Sequence, residues 1–454
     1  MKHNTVYPEN GSVIIIDDQI EEALPLMRAL SKHNISYKYF TGKNEDLPEK
    51  PLSNVKIIFL DIQLEGMEGV QNDRTKLTVL ANIISKIVDN SCFPYMIIAW
   101  TKHQDLVDEL NKYLKNNNPP FIILAIGKEE VKENDEYNVN KIEEKLKEEI
   151  NKSEAFQFFL KWQNIANTSS IQVVNEVASI YPLDNQWDKN IKSILNMLAE
   201  AYAGKQAGNE GHKNALMCFN NLYLDIIENN ILSGIPDFHI DIQEMKNLND
   251  NEIKGELNRR LLISFEKSNF VVPGNIYEEN DCFEFIKLNP KDVFQKVDVE
   301  FKKKLEECLK RFEFGDCNEV IKRVFKIFKK QLVECCSKPN TEYEDNKFFL
   351  IYLEVSPFCD YAQNKWKMHR ILPGISWPFE YERNLKKADY IYKTPLFRID
   401  NKLLFYVFDI RYLTSLPLEA LNNVNSKKRF RKELLNDIQT KIASHINRPG
   451  ITSV

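Results

Sequence analysis

The stretch VKIIFLDI, residues 55–62, places four consecutive apolar residues directly before Asp61. A run that is apolar at every position is typical of a central strand covered by helices on both faces. Further strand-like runs occur in SVIIIDD, ISYKYF, YMIIAW and FIILAIG, and amphipathic segments such as EEALPLMRALSKH and TKLTVLANIISKIV lie between them. This alternation over residues 11–150 predicts an α/β, doubly wound, five-stranded parallel sheet.

The remainder of the chain changes pattern twice. Residues 151–346 contain segments with apolar residues at three- and four-residue spacing, such as EVIKRVFKIFKKQLVECC, which predict a mostly helical region. We interpret KSNFVVPGNIYEENDCFEFI within this region as a hairpin inserted between helices. From residue 347 strand-like runs return, and Asp400-Asn401 between two of them predicts a β-hairpin turn.

These changes predict three domains. They are an α/β domain over 1–150, a helical middle region over 151–346, and a small β-rich α+β domain over 347–454 that closes with a helix around KKRFRKELLNDIQTKIASHI.

The composition is that of a folded protein, with 43% hydrophobic and 28% charged residues among 454. No stretch approaches the roughly 18–20 uninterrupted apolar residues of a membrane helix, and the first residues lack the apolar run of a secretion signal. We therefore expect a cytoplasmic protein without a membrane partner. The eight cysteines contain no C-x-x-C pair, which argues against a zinc knuckle and a disulfide framework.

The net charge of −5 is divided unevenly along the chain. Residues 347–454 contain 18 Lys and Arg against 10 Asp and Glu, a net charge of +8, which leaves −13 for residues 1–346. Such asymmetry is typical of a basic region that meets phosphate or acidic surfaces, and also of contact between a protein's own domains.

Polar residues follow four of the predicted strands: Asp17 and Asp18 after VIII, Asp61 after IIFL, Thr101 after IIAW, and Lys128 after ILAIG. In open α/β sheets, ligands bind at the carboxyl ends of the strands. Three carboxylates at one edge repel one another unless a cation balances them, and Mg²⁺ is the hard, oxygen-seeking ion that suits them. With a lysine and a hydroxyl beside them, the site suits a phosphoryl group held on one carboxylate.

In this order and spacing, the five residues resemble the site of the receiver domains of two-component response regulators, over about residues 11–150. The resemblance implies that Asp61 is the phosphoacceptor and attacks the phosphohistidine of a partner histidine kinase. It implies that Thr101 and Lys128 bind phosphoryl oxygens. It also implies a Mg²⁺ site formed by Asp17, Asp18, Asp61 and the backbone carbonyl of Gln63.

Three positions depart from the receiver pattern. Lys102 replaces the alanine after the hydroxyl residue, Glu129 replaces the proline after the lysine, and Ala125 stands where receivers carry an aromatic switch residue. A proline after the lysine normally forms a cis bond that shapes the loop, so the orientation of Lys128 is open. A receiver-like scaffold that no longer accepts phosphate is therefore an alternative, although the acceptor and the acidic pair are intact.

A second candidate site lies in LEVSPFCDYAQNKWKMHR, residues 353–370. A reactive thiolate at Cys359 needs a nearby cation, which Lys365, Lys367 or His369 could supply. The competing interpretation is that Cys359 is a buried apolar side chain, and the roles of Cys359 and Asp360 stay open.

The run Lys427–Lys432 combines five cations with Phe430. Such a run could follow a phosphate backbone, but it more often forms the solvated face of a helix. Because the rest of the chain is acidic, we expect the basic run to face the protein's own acidic domains, and we do not expect the intact protein to bind nucleic acid.

These observations predict a response-regulator-like signalling protein with a non-standard output and no enzymatic activity beyond phosphorylation and dephosphorylation of Asp61. At the level of architecture, a receiver joined to a large region of other type resembles the receiver proteins of bacterial antiphage two-component systems, which implies a phosphate-sink or regulatory role. The expected partners are a histidine kinase, an effector protein and a second copy of the chain. The alternative is a receiver that gates an enzymatic or nucleic-acid-binding C-terminal domain.

Overall fold

The computed structural model of the protein describes residues 13–32, 35–64, 73–89, 94–100, 104–115, 118–133, 136–204, 211–233, 250–265, 271–278, 317–363, 365–421, 424 and 426–446. These residues belong to two compact units. The first extends to Gln172 and includes residues from Ile226 onwards in a later helix, and the second contains Val173–Asp225 and the described residues from 250 onwards. The three-domain division at residues 150 and 346 stays a prediction.

The first unit contains the predicted five-stranded sheet, whose strands are all parallel and follow the order β2-β1-β3-β4-β5. Its strands are β1 (Val13–Ile16), β2 (Tyr37–Phe40), β3 (Ile57–Leu60), β4 (Met96–Trp100) and β5 (Ile122–Ile126). Its helices are α1 (Ile20–Lys32), α2 (Asp73–Ile87), α3 (Gln104–Leu114) and α4 (Val139–Asn151). A two-stranded ribbon of β6 (Lys132–Glu133) and β7 (Glu136–Tyr137) precedes α4.

Alternate residues of the strands enter two separate cores, as the period-two geometry of a strand requires. Ile14, Ile58 and Ile97 pack with α2 and α3 on one face, whereas Ile15 and Phe59 pack with α1 and α4 on the other. The connection between β2 and β3 is described throughout and contains turns rather than a helix. The sheet is thus covered on both faces, and its carboxyl edge is where the candidate site lies.

The described residues of the middle region are mostly helical, as predicted. Its helices are α5 (Glu154–Ala178), α6 (Trp187–Ala203), α7 (Gly211–Ser233), α8 (Asn251–Leu262) and α9 (Cys317–Cys336). Among the described residues, no helix is both long and apolar enough to cross a membrane.

The second unit contains an antiparallel sheet that confirms the β-rich prediction. Its main strand order is β12-β14-β11-β10-β9-β16-β8, with β13 on β14 and β15 on β11. The strands are β8 (Ile263–Ser264), β9 (Asn275–Glu278), β10 (Phe349–Glu354), β11 (Met368–Pro378), β12 (Ile391–Lys393), β13 (Phe397–Ile399), β14 (Lys402–Asp409), β15 (Thr414–Pro417) and β16 (Lys428–Phe430). Two further helices are α10 (Phe358–Ala362) and α11 (Lys432–Ile446).

The predicted hairpin between β13 and β14 is confirmed. Its two turn residues, Asp400 and Asn401, have φ angles of 49° and 60°. Positive φ at both positions is the geometry of a type I′ turn, which Asp and Asn tolerate better than other non-glycine residues.

Two details of this unit differ from the sequence interpretation. The strand β9 does not form a separate hairpin among the middle helices, because it pairs with β10 and β16 in the C-terminal sheet. The closing helix begins at Lys432, so the basic run is not one helical face. Within that run Lys428–Phe430 is strand β16, where Phe430 is fully buried and the Lys428 ammonium lies 2.6 Å from the Glu278 carboxylate.

Helices cover both faces of this sheet. The face that includes Tyr352 and Trp377 packs with Phe328 and Leu332 of α9. The opposite face packs with the buried residues of α11, which include Leu435 and Ile438.

Candidate metal and phosphoryl site

Three carboxylates meet at the carboxyl edge of the parallel sheet. The side chains of Asp17, Glu22 and Asp61 each place one carboxylate oxygen within 4.8 Å of the other two. Asp17 and Asp61 are 4% and 8% exposed, so two of these charges are almost removed from water. At such a distance each pair of full charges repels by about 3 kcal/mol at an effective dielectric of about 20, which a divalent cation would offset.

Backbone hydrogen bonds that continue the strand pairing fix Asp17 and Asp61. The Asp17 N–H donates to the Phe40 carbonyl at 3.2 Å, and the Asp61 N–H donates to the Ile16 carbonyl at 2.8 Å. Each aspartate then bends the chain away from the sheet, because its Oδ1 accepts the backbone N–H two residues later, at 2.9 Å in both cases. For Asp61 that donor is Gln63. The two carboxylates are therefore oriented by the loops that follow them.

Glu22 joins the group from the first turn of α1. The helix begins at Ile20, and the N–H of Glu22 donates to the carbonyl of Gln19 at 3.0 Å. A glutamate at the third helical position reaches back toward the helix start, as in a capping box, and here that start follows Asp17 directly. Glu22 was not among the residues predicted from the sequence; the usable signal was its place in the first turn of a helix that begins three residues after the strand-end Asp17.

A small cavity of about 10 Å³ lies among Asp17, Glu22, Asp61 and Trp100. This volume is close to the roughly 10–15 Å³ that a single water needs, so the cavity has room for one small ion or one water. Trp100 is 3% exposed and forms an apolar wall. Carboxylate oxygens at close range are the ligands that Mg²⁺ prefers, and the residues present fit this ion.

The neighbouring Tyr39 reports the negative field of the site. Its hydroxyl donates to the backbone carbonyl of Asp17 at 2.6 Å. Burial raises the pKa of Tyr39, and the carboxylates of Asp17 and Asp18 raise this pKa further because they disfavour a second negative charge nearby.

The structure brings together only part of the predicted set. Asp17 and Asp61 belong to the cluster of three carboxylates. In the described part of the chain, the Asp18 carboxylate does not belong to this cluster. Gln63 contributes the N–H bond to Asp61. Lys128 begins the short 3-10 helix Lys128–Val131 directly after β5, and its side chain lies outside the described part of the structure, as does all of Thr101.

The second predicted site in 353–370 is divided between surface and interior. The Cys359 thiol is exposed and donates to Asp360 Oδ1 at 3.6 Å. His369 is 2% exposed, and its Nδ1 lies 2.9 Å from Glu354 Oε2. Among the described contacts no hydrogen bond joins Cys359 to His369, so these contacts do not form a Cys–His nucleophile.

Two fully buried carboxylates in this unit have cationic or protonatable partners. Glu354 faces His369, and its Oε1 also accepts the Ser356 N–H at 2.8 Å. Asp409 accepts two side-chain bonds from Arg411, Nε to Oδ1 at 2.9 Å and Nη2 to Oδ2 at 2.6 Å. The hydrogen bond to Asp409 raises the pKa of the Arg411 guanidinium, which also lies 3.6 Å from the centre of the Tyr390 ring. The Glu354–His369 pair connects β10 and β11, whereas the Asp409–Arg411 pair is local to the end of β14.

In comparisons with known proteins, no family model and no curated protein matches this chain. The fold and the cluster of three carboxylates therefore rest on the structure alone. The N-terminal unit has a receiver-like fold with an acidic cluster that could bind a metal ion.

Proposed function

We propose that the N-terminal unit accepts a phosphoryl group on Asp61, and that Mg²⁺ bound by Asp17, Glu22 and Asp61 assists the transfer. The observation that carries this proposal is the meeting of three carboxylates at the carboxyl edge of a parallel sheet with the order β2-β1-β3-β4-β5. This edge is where open α/β sheets bind ligands.

In the proposed reaction, a carboxylate oxygen of Asp61 forms a bond to phosphorus as the phosphorus–nitrogen bond of a phosphohistidine breaks. The released imidazole nitrogen takes up a proton, and the product is an acyl phosphate. The Gln63 N–H holds Asp61 Oδ1 in place, so the carboxylate enters the reaction already oriented. Trp100 limits the access of water to one side of the carboxylate.

Bound Mg²⁺ would neutralise the carboxylates and the incoming phosphoryl oxygens, which otherwise repel each other. Glu22 takes the place in this metal set that the family resemblance assigned to Asp18. Thr101 and Lys128 remain proposed phosphoryl-binding residues on the grounds of that resemblance alone.

For the output we propose a phosphate-sink or regulatory role beside a histidine kinase and an effector protein, as in antiphage two-component systems. The support is architectural: the described part of the second unit is an antiparallel sheet covered by helices rather than a compact helix-turn-helix. Its net positive charge fits contact with an acidic protein surface.

The test is incubation of the full-length protein with acetyl phosphate, with and without Mg²⁺, followed by intact mass measurement. We expect one phosphoryl group to be added only with Mg²⁺, and none in Asp61→Asn. The matched control is Asp108→Asn, which changes an exposed aspartate of α3 and should leave labelling intact. If neither acetyl phosphate nor a competent kinase labels the wild-type protein, the alternative of a receiver-like scaffold without phosphate chemistry replaces the proposal.

A further inference from the structure

A groove of about 1010 Å³ lies in the second unit where α11 ends over β11 and β15. Its lining is largely apolar and includes Met368, Leu413 and Ile442. Met368 and Ile446 are 45% and 66% exposed, so the described residues leave apolar surface uncovered at the end of α11. The volume is about that of a ligand cleft, which spans roughly 300–1,000 Å³.

One cation lies in this apolar lining. Arg370 pairs with Ser415 across the two strands, so both side chains point to the face that carries the groove. The described ion contact of Arg370 is with Asp360, at 3.9 Å between two exposed side chains. A solvent-exposed ion pair of that length is weak. A ligand carboxylate in the groove could therefore displace Asp360 and form a bidentate hydrogen bond with the Arg370 guanidinium.

Buried polar groups fix the backbone under the groove. Ser356, 2% exposed, accepts the Arg370 N–H at 3.1 Å through its hydroxyl oxygen. Beside it, His369 lies between Glu354 and the Leu418 carbonyl, with its Nε2 3.2 Å from that oxygen. These contacts hold Arg370 from both neighbouring segments.

Besides the apolar packing of α11 on the sheet, a side-chain amide joins the wall of the groove to its floor. The Gln439 amide of α11 donates from Nε2 to the carbonyls of Val355 and Ser356, at 3.0 and 3.1 Å. The groove is therefore formed before any ligand arrives, which lowers the entropy cost of binding.

We infer that this groove binds an amphipathic anion, a small molecule with an apolar chain and one carboxylate. The apolar wall suits the chain, and Arg370 suits the carboxylate. The groove lies within residues 347–454, whose net charge of +8 favours anions near it. The inference concerns the second unit and does not depend on phosphoryl transfer at Asp61.

The test uses the full-length protein in calorimetric titrations, below the micelle concentration, with three probes built on a straight ten-carbon chain. They are decanoate, 1-decanol and decyltrimethylammonium, which share the chain and differ in charge. We expect decanoate to bind about tenfold more tightly than decanol, the order of one charge-assisted hydrogen bond, and the cation to bind least. Absence of decanoate binding, or equal binding of decanoate and decanol, would overturn the inference.

Two variants locate the binding. Arg370→Gln should lower decanoate affinity to that of decanol, and Ala443→Trp, which fills the groove from α11, should abolish binding of both probes. The matched control is Arg431→Gln, an exposed arginine before α11 that does not line the groove, and it should bind as the wild type does. Decanoate binding that survives Ala443→Trp in a folded variant, or an equal loss in Arg431→Gln, would contradict the assignment.

Discussion

The two units treat buried carboxylates in opposite ways. In the N-terminal unit, Asp17, Glu22 and Asp61 face one another within 4.8 Å. In the C-terminal unit, Glu354 faces His369 and Asp409 faces Arg411. Carboxylates that lie close together repel one another and favour a divalent cation between them, whereas Glu354 and Asp409 each lie opposite one histidine or arginine of the same unit. The sequence does not distinguish the two arrangements, because both include acidic residues at the ends of strands.

The largest expected effect is on the paired carboxylates. His369→Leu leaves Glu354 buried opposite an apolar side chain, so we expect the free energy of unfolding of the second unit to fall by about 3 kcal/mol. Adding Glu354→Gln to this variant removes the buried charge and should restore a large part of the loss. Denaturant unfolding followed by the fluorescence of buried Trp377 measures both. A His369→Leu protein as stable as the wild type would show that Glu354 does not depend on its partner.

Two variants show which carboxylates bind Mg²⁺. Glu22→Gln should weaken Mg²⁺ binding about tenfold, because it removes one of the three carboxylates that meet, whereas Asp18→Asn should weaken it much less. Calorimetric titration of Mg²⁺ gives both affinities. A larger loss in Asp18→Asn than in Glu22→Gln would support the metal set implied by the family resemblance over the one in the structure.

Removing one charge from the cluster of Asp17, Glu22 and Asp61 should stabilise the N-terminal unit, whereas removing His369 from its pair with Glu354 should destabilise the second unit. Asp61→Asn keeps the side-chain volume and an oxygen for the Gln63 N–H, but it relieves repulsion, so without Mg²⁺ we expect the N-terminal unit to gain about 1 kcal/mol. Added Mg²⁺ should stabilise the wild type more than the variant. Urea unfolding in a chelator and in Mg²⁺ provides the comparison. Destabilisation of the variant in the chelator would mean that the attractive contacts of the Asp61 carboxylate outweigh its repulsion by Asp17 and Glu22.

The smallest effect concerns an exposed pairing on α8. Hydrogen bonds from Arg259 and Arg260 lower the pKa of Glu256 to about 2. A lowered carboxyl pKa contributes stability above the unfolded value of about 4.3, and this contribution is lost as the pH falls toward 2. Glu256→Gln should therefore cost about 0.5 kcal/mol at neutral pH and progressively less below pH 4. A cost that is unchanged at pH 3 would assign it to something other than the ion pairs.

The strands of the first unit were predictable because their cause is local. Runs such as IIFL and MIIA are buried at every position. In the second unit, the type I′ turn at Asp400-Asn401 was predictable for the same reason, because both residues tolerate positive φ. The hairpin interpretation anticipated extended structure around β9 but not its pairing with β10 and β16, and β16 was not predicted as a strand, since strands of three or four residues depend on distant partners. In β16, Phe430 is buried although most of its neighbours in the sequence are basic, so the sequence pattern did not indicate a buried strand.

Part of the candidate site was predictable because the positions of two of its residues depend on local sequence. Asp17 and Asp61 end strands, and the rule that strand ends meet at one edge locates them without coordinates. Glu22 lies on a helix, so its approach to them depends on where α1 begins and at what angle. The family resemblance placed Asp18 in the metal set, and which of Asp18 and Glu22 binds the ion stays a prediction.

The most direct test of the central claim identifies the residue that carries the phosphoryl group. The full-length protein is treated with acetyl phosphate and Mg²⁺, then with borohydride, which reduces an aspartyl phosphate to homoserine, and its peptides are sequenced by mass spectrometry. The account predicts homoserine at position 61, and none when Mg²⁺ is chelated or when Glu22→Gln lowers its binding at limiting Mg²⁺. Homoserine at another aspartate, or modification at position 61 that is indifferent to Mg²⁺, would contradict it.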